Sequence, residues 1–353
     1  MVPRVLYNRA HMIRVAINGF GRIGRCFARA AANEPSIEIV AVNDLGDIKT
    51  LAYLLKYDTV YRQAPFEVGA EDGFLQIGKN RAKFLQEKDP AKLPWKDLEV
   101  DVVVESTGLF TDFAKAEAHI TAGAKRVVIS APAKDGADEA GVTVNGVTVL
   151  MGVNQEKLKD SALSSNASCT TNAASPLIAI LDKAIGIEKA ILSTTHGYTA
   201  SQSLVDGPSK KDVKEGRAAA QNIVPTATGA AIAVTQAYEN LKGKFDGISL
   251  RVPVPAGSIV DVTFIAKRNT TREEVNKLLS EAAATPEWQG VFAVTDEPLV
   301  SSDIIGSTFG SIADLGLTRV VDGNLVKVLA WYDNEMGYTH TLLAHVKEAS
   351  KYL

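Results

Sequence analysis

A chain of 353 residues exceeds what one hydrophobic core usually holds, so two domains are expected. With 46% apolar residues, 22% charged residues and a net charge of −3, it carries no electrostatic footprint for nucleic acid or an anionic membrane. Two cysteines exclude a disulfide scaffold and point to a reducing, cytoplasmic setting; no apolar run reaches the ~20 residues that span a bilayer.

Residues 1–11 (MVPRVLYNRAH) have no apolar core of the signal-peptide kind and read as a tail or as the product of an upstream start, since Met12 directly precedes the first strand pattern. From there the chain alternates strands and helices: Ile13–Asn18, a helix over Ile23–Ala32, Ile37–Asn43, and a helix over Ile48–Tyr57. Gly78-Lys79-Asn80 between two apolar segments predicts a hairpin. A strand at Asp101–Glu105, a helix over Thr111–Ala122 and a strand at Arg126–Ser130 follow. This is the grammar of a Rossmann-type doubly wound parallel sheet, expected to occupy residues 12–168.

Beyond Cys169 the pattern changes. One helix over Thr170–Ile185 precedes the strands Ala190–Thr195, Gly247–Val254, Ile259–Lys267 and Leu325–Trp331, with a helix at Thr271–Ala284. Strands grouped in this way predict an α+β domain over 169–334 with a mostly antiparallel sheet. A last helix within 335–353 is expected to pack back onto the first domain.

Gly19-Phe20-Gly21-Arg22-Ile23-Gly24 follows a strand and opens a helix. Glycines at that spacing allow a tight turn and a close approach of backbone to a pyrophosphate seated on the helix N-terminus. Asp44 ends the next strand, 20 residues after Gly24, where a carboxylate accepts from a ribose hydroxyl and repels the 2′-phosphate of NADP; NAD is therefore the expected cofactor. The competing role for Asp44 is a helix cap, for which Asn43 and Asp47 are rivals. Gly73–Lys79 resembles a phosphate loop, but Asn80 stands where Ser or Thr is needed and the interior is apolar.

Cys169 lies in SNASCTTN at a predicted helix start, where the dipole favours thiolate. Cys26, inside GRCFARAAA, reads as a small buried hydrophobe. Among five histidines, His196 ends a strand and begins a polar loop, which makes it the candidate base for the thiol. No His/Cys cluster has metal-ligand spacing. Arg251 alternates with Leu250 and Val252 in ISLRVPVP, and on that pattern alone it is a solvent-facing arginine as readily as a functional one.

INGFGRIGR, VAVND, KDPAKLPW, ESTG, ISAPAK, SNASCTTN, PTATGAA, RVPVP and WYDNE occur in this order, and from Met12 onward the chain resembles the phosphorylating glyceraldehyde-3-phosphate dehydrogenases. The resemblance implies Cys169 as nucleophile and His196 as general base, acting through a cysteine thioester. It implies Thr199 and Arg251 for the substrate's phosphate, and Ser168, Thr170, Thr228 and Gly229 for inorganic phosphate. Arg22, Ile23, Asp44, Lys88, Ser130 and Asn334 are implied cofactor contacts. D-glyceraldehyde 3-phosphate, NAD and a homotetramer come with the resemblance. Ser201 stands where some relatives carry aspartate, and Gly207-Pro208 where some carry Leu-Pro. A relative acting on erythrose 4-phosphate is the nearest rival; a non-catalytic NAD-binding regulator is the other, opposed by the joint presence of Cys169, His196 and Arg251.

Overall fold

The computed structural model describes residues 12–137, 141–209 and 212–353, so the expected tail lies outside the described residues. The chain forms two compact units. The first takes in residues up to Val147, Glu156–Asn166 and Leu342–Leu353; the second comprises Thr148–Gln155 and Ala167–Thr341.

In the first unit, β1 (Ile13–Asn18) and β2 (Ile37–Asn43) are buried along nearly their whole length, which is why they read as continuous apolar runs rather than alternating ones. Helices α1 (Arg22–Ala31) and α2 (Ile48–Lys56) follow them. The sheet continues with β3 (Val68–Glu71), β4 (Phe74–Ile77), β5 (Asn80–Leu85), β6 (Val102–Glu105), β7 (Arg126–Ile129), β8 (Val147–Thr148) and β9 (Leu163–Ser165). Its order is β8-β9-β7-β6-β1-β2-β5-β4-β3. The six strands from β9 to β5 are parallel, and β1 lies between β2 and β6, so the winding reverses at β1. A crevice opens at the carboxyl ends of strands at such a reversal.

The hairpin expected at Gly78-Lys79 is present, with Ile77 facing Asn80, and it absorbs the phosphate-loop-like run into two strands. The helix expected over Thr111–Ala122 is instead two short segments, α3 (Phe113–Ala116) and α4 (Ala118–Thr121), parted at Glu117. The second segment carries His119 into the interior, where the ring accepts from Trp95 Nε1 (2.9 Å) and meets Glu105 Oε2 (3.0 Å). Leu93, Trp95, Val103, Phe113 and Val127 form the apolar core on that side.

In the second unit, α5 (Cys169–Ile185) lies against a sheet built from β10 (Ile187–Gly197), β11 (Val224–Ala227), β12 (Phe245–Val252), β13 (Ser258–Ala266), β14 (Phe292–Thr295), β15 (Ser311–Asp314), β16 (Arg319–Val321) and β17 (Leu325–Tyr332). Helices α6 (Ala230–Ala237) and α7 (Arg272–Ala283) complete it, and α8 (Met336–Ala349) runs on into the residues of the first unit. The order is β11-β12-β10-β13-β17-β15-β14, with β16 beside β17. Most neighbours are antiparallel, but β10 and β12 run parallel, as do β14 and β15. Leu177, Ile178 and Leu181 of α5 pack on Leu192, Val260, Val262, Val328 and Ala330. Truncating Leu177→Ala should cost about 3 kcal/mol through the cavity it leaves, read as a lower urea midpoint.

His345 in the first unit is fully buried between Ser164 Oγ (2.9 Å) and Asn166 Oδ1 (3.1 Å). Burial, followed by the charge of Arg126, holds its pKa down at about 3. An unfolded histidine takes up a proton near pH 6.5, so the folded state loses stability as pH falls from that value toward 3. Replacing His345→Gln should flatten this acid decline in urea midpoints, whatever it does to stability at neutral pH. An unchanged slope would assign the decline to other groups.

Candidate active site

The crevice at the carboxyl ends of β1, β2 and β6 is a cleft of about 430 Å³ lined by Gly19, Gly21, Asp44, Lys88, Thr107 and Phe110 among others. Each glycine of the motif has its own steric reason. A Cβ on Gly19, whose φ is +92°, would meet Thr107 N at 2.6 Å; one on Gly24 would meet Gly19 O at 2.2 Å. A Cβ on Gly21 would meet nothing within 4 Å, which leaves the space above the start of α1 open. That start has no side-chain cap, so its first amides offer an anion site.

The Arg22 side chain is engaged by Asp58 and lies over the Tyr61 ring, so what this residue and Ile23 present at the crevice is backbone N–H. Asp47, not Asp44, caps α2, accepting from Thr50 N. Asp44 is fixed at the rim instead, its two oxygens accepting from Phe20 N (2.7 Å) and Gly46 N (2.8 Å). A locked carboxylate beside an uncapped helix start fits an adenosine ribose and a pyrophosphate. Lys88 is exposed and lines the cleft, whereas Ser130 follows β7 and donates its backbone N–H to Glu105 O (2.9 Å).

In the second unit the chain enters α5 through Ala167, a buried residue with φ +55° whose carbonyl accepts from Tyr338 Oη (3.0 Å). Ser168 caps the helix by accepting from Thr171 N (3.1 Å), which sets Cys169 as its first residue. Four side chains then meet at one end of the sheet. Register pairs His196 with Arg251 across β10 and β12, and Ser258 with Tyr332 across β13 and β17. Cys169 Sγ lies 3.3 Å from His196 Nε2. Arg251 Nη1 lies 2.6 Å from His196 Nδ1, and the Tyr332 ring stands edge-on to the imidazole at 5.9 Å.

Arg251 therefore does not follow the solvent-facing pattern. Along β12 the apolar row is the outer one, with Ile248 53% exposed, while Ser249 and Arg251 face inward beside Thr194 and His196. The thiol also departs from the expectation of an easily ionised helix-start cysteine. Enclosure is the first influence on Cys169 and pushes its pKa up, against Arg251 and the Thr170 N–H and hydroxyl, which pull it down. Burial, then the Arg251 charge, hold His196 down at about 3.

Thr170 is buried with its hydroxyl 2.9 Å from Tyr332 Oη, which also meets Thr194 Oγ1 at 2.7 Å. Thr199 Oγ1 pairs with Ser201 Oγ at 3.2 Å, so the serine that replaces an aspartate still faces that threonine. Thr228 accepts from Ala230 N (3.2 Å), and Gly229 precedes α6 with open space beside it. Asn334 is buried and accepts from Ser258 Oγ (2.9 Å), which in turn accepts from Gly197 N (3.1 Å). Sequence reasoning passed over Tyr332, Thr194 and Ser258. A hydroxyl closing the inward apolar row Val326, Val328, Ala330 was the available signal for Tyr332.

A dinucleotide crevice in one unit and a thiol–imidazole pair in the other are the features of a pyridine-nucleotide oxidoreductase. Residues 13–113 match the family model described as glyceraldehyde 3-phosphate dehydrogenase, NAD binding domain, and residues 168–334 match its C-terminal domain. The chain is 49% identical over 334 residues to glyceraldehyde-3-phosphate dehydrogenase 1 of Streptomyces avermitilis, covering 94% of this chain and 96% of that one. It is 48% identical over 349 residues to glyceraldehyde-3-phosphate dehydrogenase of Mycobacterium avium, covering 97% and 99%. The protein belongs to the glyceraldehyde-3-phosphate dehydrogenase family, and NAD is its cofactor.

Asp44→Ala should narrow the ratio of kcat/KM for NAD over NADP, because the charge that repels a 2′-phosphate is removed. An unchanged ratio would assign cofactor choice elsewhere.

Proposed function

We propose that this protein oxidises D-glyceraldehyde 3-phosphate with inorganic phosphate and NAD to 1,3-bisphosphoglycerate, through a thioester on Cys169. The observation that carries the reading is the 3.3 Å approach of Cys169 Sγ to His196 Nε2 at the start of a capped helix, in a chain of this family.

Cys169 Sγ bonds the aldehyde carbon while its proton passes to His196 Nε2, and the imidazolium returns that proton to the carbonyl oxygen. The first amides of α5 face the developing oxyanion from a helix start, where positive potential is greatest. His196 Nε2 then takes the hydroxyl proton of the adduct as the carbon is oxidised to a thioester. NAD, when bound, supplies the hydride acceptor for that oxidation. An oxygen of inorganic phosphate next bonds the thioester carbon; the C–S bond breaks and Cys169 leaves as thiolate, so the acyl group is released as an acyl phosphate rather than hydrolysed.

Two anions must be held beside one thioester. Arg251, whose buried Nε has no hydrogen-bond partner among the described residues, suits the substrate's phosphate together with Thr199. The open amides at Thr228–Gly229 before α6, with Ser168 and Thr170, suit the inorganic one. Arg22, Ile23, Asp44, Lys88 and Ser130 are assigned to the dinucleotide, and Asn334, oriented by Ser258, to the nicotinamide carboxamide. A homotetramer is part of the reading. What supports it is the apolar outer surface of the second unit, where Ile191, Ile232 and Ile248 are each more than half exposed. A cytoplasmic setting is also part of it, since neither cysteine is in a disulfide and Cys169 must stay reduced to act.

NADH formation from glyceraldehyde 3-phosphate should require inorganic phosphate for sustained turnover. Cys169→Ala should abolish turnover while NAD still binds. Near-normal NAD reduction by that variant would overturn the mechanism.

A further inference from the structure

Behind the lining of the nucleotide crevice runs a row of polar side chains that the thioester chemistry does not use. Glu105, at the carboxyl end of β6, is buried, and both its oxygens are engaged. Oε1 accepts from Thr107 N (2.8 Å) and Thr107 Oγ1 (2.5 Å); Oε2 accepts from Asn18 Nδ2 (2.6 Å) and meets His119 Nε2 at 3.0 Å. The direction of each hydrogen bond is fixed from outside. Trp95 Nε1 can only donate, so His119 Nδ1, 2.9 Å away, holds a lone pair and the ring proton is on Nε2, facing Glu105. The 3.4 Å approach of Asn18 Nδ2 to His119 Nε2 therefore sets two donors side by side on one oxygen. Leu109 N donates to Thr107 Oγ1 (3.1 Å), which leaves the threonine's own hydrogen for Glu105. On the other side, Glu87 N donates to Asn43 Oδ1 and Glu87 O accepts from Asn43 Nδ2, both at 2.9 Å. Asn43 Nδ2 thus also donates to Asn18 Oδ1 (2.7 Å), and the Asn18 amide turns its donor toward Glu105.

Three one-way chains of hydrogen bonds, from Glu87, Leu109 and Trp95, therefore end on one carboxylate. They link the four connections that line the crevice, those after β1, β2, β5 and β6. Resting on the assignment of this crevice to the dinucleotide, we propose that Glu105 is a positioning residue for NAD. Through Oε1 it holds the Thr107–Leu109 turn at the spacing from the Asp44 rim that the dinucleotide needs.

Packing does not hold that turn. A Cβ on Gly108, whose φ is +73°, would meet nothing within 4 Å, and Leu109 is 69% exposed. The inner end of the turn is tight, because Thr107 N lies 2.6 Å from where a Cβ on Gly19 would stand. A shift of the turn is thus a shift of the wall that abuts the glycine motif. A carboxylate suits the place because each oxygen receives two donors and neither oxygen is asked to donate. An amide of the same shape offers one such oxygen. In Glu105→Gln that oxygen goes to Asn18 and His119, since turning it the other way would leave both of those donors unmet. The amide nitrogen then faces Thr107, whose hydroxyl can rotate to accept but whose N–H is left without an acceptor. Ser106 Oγ still donates to Gly19 O (2.7 Å), so the strand end stays in place and the loosening is confined to Thr107–Leu109.

The test is calorimetric titration of the whole protein with NAD and with ADP-ribose, which lacks the nicotinamide. Glu105→Gln should raise both Kd values about ten-fold, the scale of one lost hydrogen bond to a charged acceptor. KM for NAD should rise with them, while kcat at saturating NAD changes far less. Trp95→Phe is the control for a merely structural role. It removes a buried partner from the same network and should lower the urea midpoint, yet Oε1 keeps Thr107, so NAD affinity should stay near the parent's. Nitrogen NMR of ring-labelled histidine, with His119 assigned by His119→Gln, should find the proton on Nε2 before NAD is added. If Glu105→Gln does not fold, Thr107→Val, which keeps the N–H and loses the hydroxyl, should weaken NAD binding in the same direction. The proposal is overturned if the folded variant binds NAD as the parent does, if Trp95→Phe weakens NAD as much, or if His119 carries its proton on Nδ1. Asp44→Ala separates the two readings. A changed preference between NAD and NADP there, beside an unchanged Kd in Glu105→Gln, overturns the role of Glu105 alone; an unchanged preference overturns the crevice assignment itself.

Discussion

A thiol and an imidazole have to be held within a proton's reach of each other. At Cys169 and His196 that closeness depends on a helix and a strand drawn from separate stretches of chain. The helix contributes a fixed starting point, because Ser168 caps it and Ala167 turns the backbone into it through a left-handed conformation that only surrounding structure can enforce. The strand contributes a fixed direction, because Leu192, Thr194 and His196 face the same way and Leu192 is locked in the core against α5. Packing of the apolar row thereby aims the polar residue at its end.

Burial works against reactivity here. It pushes the thiol up and the imidazole down, which favours the uncharged form of each. The surrounding polar groups decide how that penalty is lifted. Tyr332, held by Thr170 and Thr194, supplies a neutral floor. Arg251 supplies the charge, on a strand that runs parallel to its neighbour in a sheet where most neighbours are antiparallel.

Much of the nucleotide crevice was legible in the sequence, because its geometry is local. Glycines at fixed spacing between a strand and a helix can be read from a dozen residues, and Asp44 follows from the length of one βαβ unit. The capping roles were separable only with coordinates: Asp47 and Asp44 are chemically alike, and backbone geometry alone gives the first the helix and the second the turn. The thiol site was half legible. Cys169 stands among polar residues, of which Thr170, Thr171 and Asn172 are buried, with Thr170 engaged by Tyr332 and Thr171 by Ser168. Alternation left Arg251 open between an outer and an inner face, since periodicity tells which residues share a face and not which face is inward. The helix expected through Glu117 broke because its second half turns His119 toward Glu105, a contact 14 residues apart that no helical period encodes.

The pairing of His196 with Arg251 also has a bearing on how such a chain can vary in length. Loops can gain or lose residues at little cost, and the surface turns of this sheet offer many places for it. Between Gly247 and Arg251 parity rules instead. A single residue inserted before Leu250 could leave the sheet intact, yet would rotate the guanidinium to the outer face and present Leu250 to the imidazole. In this chain, residues can therefore be added to the connections at far less cost than to this short run of strand.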